Sequence, residues 1–293
     1  MNRPLIIGHR GACAYRPENT IESFELAISQ GADGIEFDVV ATADESLVIR
    51  HENALSTTTD ISTLPKFSSY QRKGTVDSQE VFDWFTEDLS LADIKELKAV
   101  ERLAELRPGS AKFDGQFQIP ELTEVMELQA LSGKLIVAEL KDGTHLSNLT
   151  TPLSVLFADT IGTQPILGSL VIESFNFELL AETRDEFSRR NIPAKYFYLL
   201  EIGVADQAEE YLASFDGIAI SLEMLFAEPS WVENVHGLGK QIFTYTAAAE
   251  KAETSIEEYF LRIIETGVDG IFADQPDLIG RVLRDGSGSN YDY

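Results

Sequence analysis

LIIGHRGACAY, residues 5–15, decides between two folds. The apolar run Leu5-Ile6-Ile7 reads as a short strand buried on both faces, as strands of parallel sheets are. The residues just after the strand separate the alternatives. An open doubly wound sheet usually continues from its first strand into a glycine-rich phosphate turn of the form G-x-G-x-x-G, and Gly8-His9-Arg10-Gly11-Ala12-Cys13 does not have that form. A proton-carrying imidazole and a permanent cation stand at the strand's carboxyl end instead. In a barrel of parallel strands that end is where chemistry is done.

Seven further runs of the same kind lie along the chain: GIEFDVV (34–40), KLIVAEL (134–140), SLVIESF (169–175), KYFYLL (195–200), GIAISL (217–222), QIFTYT (241–246) and GIFAD (270–274). Segments with helical spacing separate them, among them NTIESFELAISQ, in which Ile21, Phe24 and Ile28 share a face and Asn19 is the expected cap. Others are FELLAETRDEFSRR (177–190), SIEEYFLRIIETG (255–267) and DLIGRVLRDG (277–286). Eight strands alternating with helices predict an α/β fold, a (β/α)8 barrel of the TIM type. The barrel is expected to occupy residues 1–285, with 286–293 a polar tail.

One stretch breaks the alternation. After LVIRHE (47–52) the rhythm lapses until the helical IPELTEVMELQAL (119–131), and a structureless loop of that length is improbable inside a barrel. Residues 53–119 carry Trp84, Phe85, Phe113 and Phe117 and a helix-like LADIKELKAVERL (91–103). They are expected to form a small inserted subdomain over the barrel's mouth.

Composition narrows the partners. The chain of 293 residues is 44% hydrophobic, enough for a large core, and carries 49 acidic against 23 basic side chains, a net charge of −26. Nucleic acid and anionic membranes are poor partners for such a surface. A small anionic substrate remains compatible, because one bound divalent cation inverts the local field. The single cysteine, Cys13, makes neither an intrachain disulfide nor a structural zinc site and reads as a packing residue. MNRPLIIGHRG contains no stretch long enough for a leader or a membrane span, so a cytoplasmic location is expected.

The strand ends gather the reactive groups. Strand one ends in His9-Arg10. Glu36 and Asp38 stand at i and i+2 on the second run, as do Glu139 and Lys141 on the third, and alternate residues of a strand share a face. The LVIR run delivers His51-Glu52. Each pair alone has an ordinary explanation, such as a solvated face or a weak surface ion pair. Together they place charge within apolar strands at successive ends, where it is costly unless paired or on a metal. Three carboxylates suit a hard cation, Ca²⁺ or Mg²⁺, rather than zinc. Two histidines suit proton removal and proton donation. Arg10 and Lys141 suit a phosphate's non-bridging oxygens. The set fits cleavage of a phosphodiester.

In these residues the chain resembles the glycerophosphodiester phosphodiesterases. The shared motifs, in order, are His9-Arg10-Gly11, Pro17 to Thr20, Gly31 to Val39, Val48 to Glu52 and Glu139 to Lys141, followed by Ser174-Phe175 and the closing GVDGIFADQPDLI (267–279). FTEDLSLADIKEL and FDGQFQIPELTEV resemble the bacterial members with the longer insertion. The resemblance implies a cation held by Glu36, Asp38 and Glu139, His9 and His51 as acid and base, and Arg10 and Lys141 on the phosphate. It implies hydrolysis of a small, deacylated phospholipid to sn-glycerol 3-phosphate and an alcohol, either by water directly or through a cyclic phosphate formed by the adjacent hydroxyl. Tyr245, Phe175 and His145 are expected around the substrate. The family's His-Asp is His51-Glu52 here, and Tyr245-Thr246-Ala247-Ala248 stands where Trp-Thr-x-Asn is usual. The competing readings are a lipid phosphodiesterase of the sphingomyelinase-D or phosphoinositide phospholipase-C type, and a barrel that binds phosphodiesters without cleaving them.

Overall fold

A computed structural model describes residues 3–76, 79–141, 149–202 and 208–286. In chain order the strands are β1 (Leu5–Gly8), β2 (Gly34–Ala41), β3 (Leu47–Ile49), β4 (Arg72–Val76), β5 (Gln79–Asp83), β6 (Leu135–Leu140), β7 (Ser169–Ser174), β8 (Lys195–Leu200), β9 (Gly217–Ser221), β10 (Gln241–Ala247) and β11 (Gly270–Ala273). The α-helices are α1 (Ile21–Ser29), α2 (Leu91–Ile94), α3 (Leu122–Met126), α4 (Leu153–Gly162), α5 (Phe177–Arg190), α6 (Ala208–Ser214), α7 (Leu222–Ala227), α8 (Ser230–Gly237), α9 (Ile256–Ile264) and α10 (Pro276–Gly286).

Strands β1, β2 and β6 to β11 pair in parallel and close on themselves, β1 lying between β11 and β2. This is the expected (β/α)8 barrel, and closure removes the sheet's exposed edges. Each strand is buried on both faces, which explains its near-continuous apolar run. Outward residues such as Ile6, Ile35, Ile136 and Ile172 pack under the helices, while Ile7, Val137, Val171, Phe197, Phe243 and Phe272 fill the interior. One step of period two beyond this apolar plug, the inward row turns polar: His9 after Ile7, Glu139 after Val137, Glu173 after Val171, Asp274 after Phe272. The plug floors the site.

β3 adds to the barrel antiparallel, pairing Val39 with Ile49 and Ala41 with Leu47, and so returns His51 to the mouth. Residues 53–119 continue from it as 3-10 turns, the one-turn α2 and a β4–β5 hairpin. They surround a cluster of Leu55, Ile61, Phe67, Trp84, Leu89, Ile94, Leu97 and Ile119, which meets the barrel through Val40 and Val48. The Trp84 indole N–H donates to the Phe67 carbonyl at 2.6 Å.

Three local expectations are corrected. The helix expected over 91–103 is helical only over Leu91–Ile94, closed by a Ser90–Asp93 capping box. Beyond it the backbone extends, because Lys98 bridges Gln118 and Ala99 bridges Thr59. Only Leu122–Met126 of 119–131 is α-helical, followed by a 3-10 turn at Gln129–Leu131. The cap of α1 is Thr20, whose hydroxyl accepts from the Ser23 N–H at 3.2 Å; Asn19 serves elsewhere. Among the described residues, no helix is long and apolar enough to cross a membrane.

Candidate active site

The turn after β1 is built around left-handed backbone at Arg10 (φ 53°) and Gly11 (φ 84°). A side chain at Gly11 would strike the backbone of Ser23, with a Cβ 2.5 Å from its carbonyl carbon, so only glycine fits. The turn aims the Arg10 amide at Glu36, donating to Oε2 at 2.7 Å.

Residues 17–20 divide the work of fixing this turn. The Pro17 carbonyl accepts from the Thr20 hydroxyl at 2.8 Å, and Thr20 caps α1. Glu18 accepts from the Arg10 guanidinium at 3.1 Å. Asn19, itself left-handed at φ 57°, donates from Nδ2 to Asp38 Oδ2 at 2.8 Å. The motif is thus a bracket that joins the first turn to the second strand.

Glu36, Asp38 and Glu139 bring carboxylate oxygens within 4.8 Å of one another, all three residues buried. The β2–β6 register pairs Asp38 directly with Glu139. Lys141 Nζ lies 2.6 Å from Glu139 and 3.2 Å from Asp38 Oδ1, and Arg10 Nε lies 3.5 Å from Asp38 Oδ2. Burial and the neighbouring Asp38 charge push the Glu36 carboxyl well above the usual range. Burial lifts Glu139 to about 7, with Lys141 opposing. Asp38 goes the other way: burial resists its charge, but Lys141, His51 and Arg10 outweigh it and hold the carboxylate ionised. A fourth acid, Glu173 on β7, is fully buried, raised well above its usual range by burial and then by Glu139, and its Oε2 has no hydrogen-bond partner.

This donor set fits a hard divalent cation. Three convergent carboxylates offer oxygen alone, and Asp38 Oδ1 is buried with the Lys141 ammonium 3.2 Å away and no hydrogen bond. Two of the three acids resist ionising even beside Arg10 and Lys141, so that further positive charge would favour their ionised form.

The two histidines face the same cavity, each with Nδ1 on a carboxylate. His9 Nδ1 is 2.7 Å from Asp274 Oδ1, and His51 Nδ1 is 2.6 Å from Glu52 Oε1. Burial resists the charge on both acids, yet each stays well below the usual range. His9 and Arg107 outweigh burial at Asp274, and hydrogen bonds from His51 and Arg102 do so at Glu52. Each ring is thereby oriented through its Nδ1. Burial first, then the Arg10 charge, lowers the pKa of both rings below the ordinary histidine value.

A cavity of about 130 Å³ joins these groups, lined by His9, Arg10, Glu36, His51, Glu139, Glu173, Phe175, Leu199, Tyr245, Thr246 and Phe272. Phe175 and Tyr245 meet edge to face at 6.1 Å and form its apolar wall. Every site residue expected from the sequence is brought to this mouth except His145, which lies outside the described residues. Glu173 and Asp274 are additions to that set, although both sit in quoted strands two residues past an inward apolar side chain. Cys13 is buried, its thiol pushed well up by burial, as befits a packing residue. Phe113 and Phe117 stack on one another at 5.6 Å, with Arg16 over Phe113, and are not among the cavity's lining.

The sequence model of the glycerophosphoryl diester phosphodiesterase family matches residues 9–278. A glycerophosphodiester phosphodiesterase of Caldanaerobacter subterraneus subsp. tengcongensis is 30% identical over 291 residues, covering 97% of this chain and 99% of the relative. One from Bacillus subtilis is 28% identical, covering 97% and 87%. A phosphodiesterase of Oleispira antarctica, solved in complex with the product sn-glycerol-3-phosphate, superposes with a TM-score of 0.71 at 23% identity, covering 96% and 97%. A glycerophosphodiester phosphodiesterase of Agrobacterium tumefaciens superposes with a TM-score of 0.66 at 21% identity, covering 95% and 99%. These two likenesses speak for the barrel.

Proposed function

Since this chain belongs to the glycerophosphoryl diester phosphodiesterase family, we propose that it hydrolyses small glycerophosphodiesters to sn-glycerol 3-phosphate and an alcohol. Glu36, Asp38 and Glu139 hold one Ca²⁺ or Mg²⁺. Bound there, the cation supplies Lewis-acid stabilisation of charge on the phosphoryl oxygens. Arg10 and Lys141, already turned toward the acids, bind the non-bridging oxygens and share that charge.

His9 and His51 carry the protons. One removes a proton through Nε2 from the attacking hydroxyl, whether the substrate's own or water's; the other delivers one to the departing alcohol oxygen. Burial and the Arg10 charge disfavour the protonated form of both rings in the free site, and the donor must carry a proton. The anionic phosphate favours this by offsetting the nearby cations, while Asp274 or Glu52 stabilises the imidazolium from behind. Phe175 and Tyr245 pack against the apolar face of the glycerol or alcohol, and the cavity's small volume favours a soluble diester over a diacyl lipid. Residues 53–119 are an inserted subdomain of the barrel, which spans 1–285.

The convergence of two carboxylate-backed histidines with three acids and two cations at one end of the barrel carries this reading. The test is release of sn-glycerol 3-phosphate from glycerophosphocholine, glycerophosphoethanolamine and glycerophosphoinositol, with and without EDTA. We expect release that EDTA abolishes and Ca²⁺ or Mg²⁺ restores. No release from any of the three with either metal rejects the proposal.

A further inference from the structure

Both histidines are gripped from behind by one short piece of the inserted segment. Arg102 donates from Nη1 and Nη2 to the two oxygens of Glu52, each at 2.8 Å, and from Nε and Nη2 to Glu18 at 2.5 and 2.6 Å. Glu52 in turn holds His51. Five residues on, Arg107 pairs with Asp274 Oδ2 and reaches Glu250 from Nε at 2.6 Å, and Asp274 holds His9. The two relays therefore have the same order: arginine, carboxylate, Nδ1. Neither arginine lines the cavity.

The piece between them and its two flanks are tied by hydrogen bonds. The Leu103 amide donates to the Glu101 carboxylate at 2.9 Å, the Arg107 amide to the Leu103 carbonyl at 2.8 Å, and the Ser110 amide to the Arg107 carbonyl at 3.0 Å. Arg107 is largely buried. A guanidinium's planar fork is suited to fixing a carboxylate's plane as well as its charge, which an ammonium does not do.

From this geometry we infer that Arg102 and Arg107 are positioning residues, each acting through one carboxylate on one histidine. Resting on the acid/base reading of His9 and His51, the inference gives the segment a part in chemistry beyond covering the mouth. It makes the two relays separable: Arg102 sets the ring plane of His51, and Arg107 that of His9.

The experiment uses the full chain in variants Arg102→Gln, Arg107→Gln, Arg102→Lys, Glu52→Gln and the double variant Glu52→Gln/Arg102→Gln. The first readout is the set of histidine ring signals in ¹H–¹⁵N spectra without substrate. The chain has four histidines, so His9→Ala and His51→Ala assign the two that matter. We expect Arg102→Gln to displace the Nδ1–H signal of His51 and leave that of His9, and Arg107→Gln to do the reverse. The second readout is steady-state hydrolysis of glycerophosphocholine. A ring turned out of line is expected to lower kcat by roughly ten- to a hundredfold with KM little changed. Arg102→Lys is expected to fall between, and the Glu52/Arg102 double variant to match Glu52→Gln alone. Signals that stay put, or that both move in either variant, overturn the inference whatever the substrate proves to be. So do unchanged kcat values in a chain that cleaves glycerophosphocholine. The spectra need no turnover, so failure of this inference and failure of the proposed activity are told apart.

Discussion

At His9 and His51 the assignment rests on what each ring touches, and removal is the direct test. His9→Ala and His51→Ala are each expected to lower kcat at least about a hundredfold, the usual scale of lost acid/base catalysis, with thermal stability near that of the parent. Near-normal turnover in a folded variant would show that ring to be structural. Glu139 makes a prediction of a different kind. Its carboxyl titrates at about 7 in the folded, cation-free protein, against an ordinary value of 4.5. Between these values the folded state binds more protons than the unfolded one, so Glu139 makes the cation-free protein less stable as pH rises through that window. A cation displaces the proton. The gain in Tm on adding Ca²⁺ or Mg²⁺ is therefore expected to grow from about pH 5.5 to about pH 8, and calorimetry with and without EDTA measures it. A gain that shrinks with pH excludes Glu139 from the cation's ligands. Much of this site was legible residue by residue, because a charge inside an apolar strand is costly and stands out. Glu18 and Asn19 did not stand out as site residues, being polar in a loop where polar residues are ordinary. Arg102 and Arg107 gave no local signal at all, since their meaning lies in partners 50 to 167 positions away.

At the scale of elements, the barrel strands were readable to within one residue at each end, because burial on both faces leaves a near-continuous apolar run. FELLAETRDEFSRR likewise is α5 over its full length. The segment 53–119 was not readable in the same way. Its β4–β5 hairpin is polar and half exposed, carrying Lys73, Glu80 and an exposed Phe82, so it shows no clean alternation. Its stability is collected by a few large side chains. Trp84→Ala removes one of them and the indole bond to Phe67, a change expected to cost about 3–5 kcal/mol. If the segment is a subdomain, hydrogen exchange will show amides of 53–100 losing protection while β6 to β11 keep theirs. Uniform loss across the chain would mean that barrel and segment fold as one unit.

For the whole molecule the net charge of −26 is the dominant fact beyond the fold. Like charge repels an anionic bilayer across the Debye length, about 8 Å at physiological salt. The protein is accordingly expected to stay in the supernatant when phosphatidylglycerol vesicles are sedimented at low salt, and to cleave glycerophosphocholine at the same rate with or without them. Co-sedimentation would point instead to a lipid substrate.

The barrel closes where β1 meets β11, and that seam also joins His9 to Asp274, with the His9 amide on the Ala273 carbonyl at 3.0 Å. One histidine of the pair thus gets its carboxylate from 265 positions further along the chain. While the chain is still on the ribosome, His51 already has Glu52 beside it, but His9 waits for the final strand to leave the exit tunnel. Translation that stops short of residue 270 yields a polypeptide that contains Glu36, Asp38 and Glu139 but lacks the carboxylate partner of His9. Timing is thereby written into the topology: the last barrel strand to be synthesised brings the partner of a residue that follows the first.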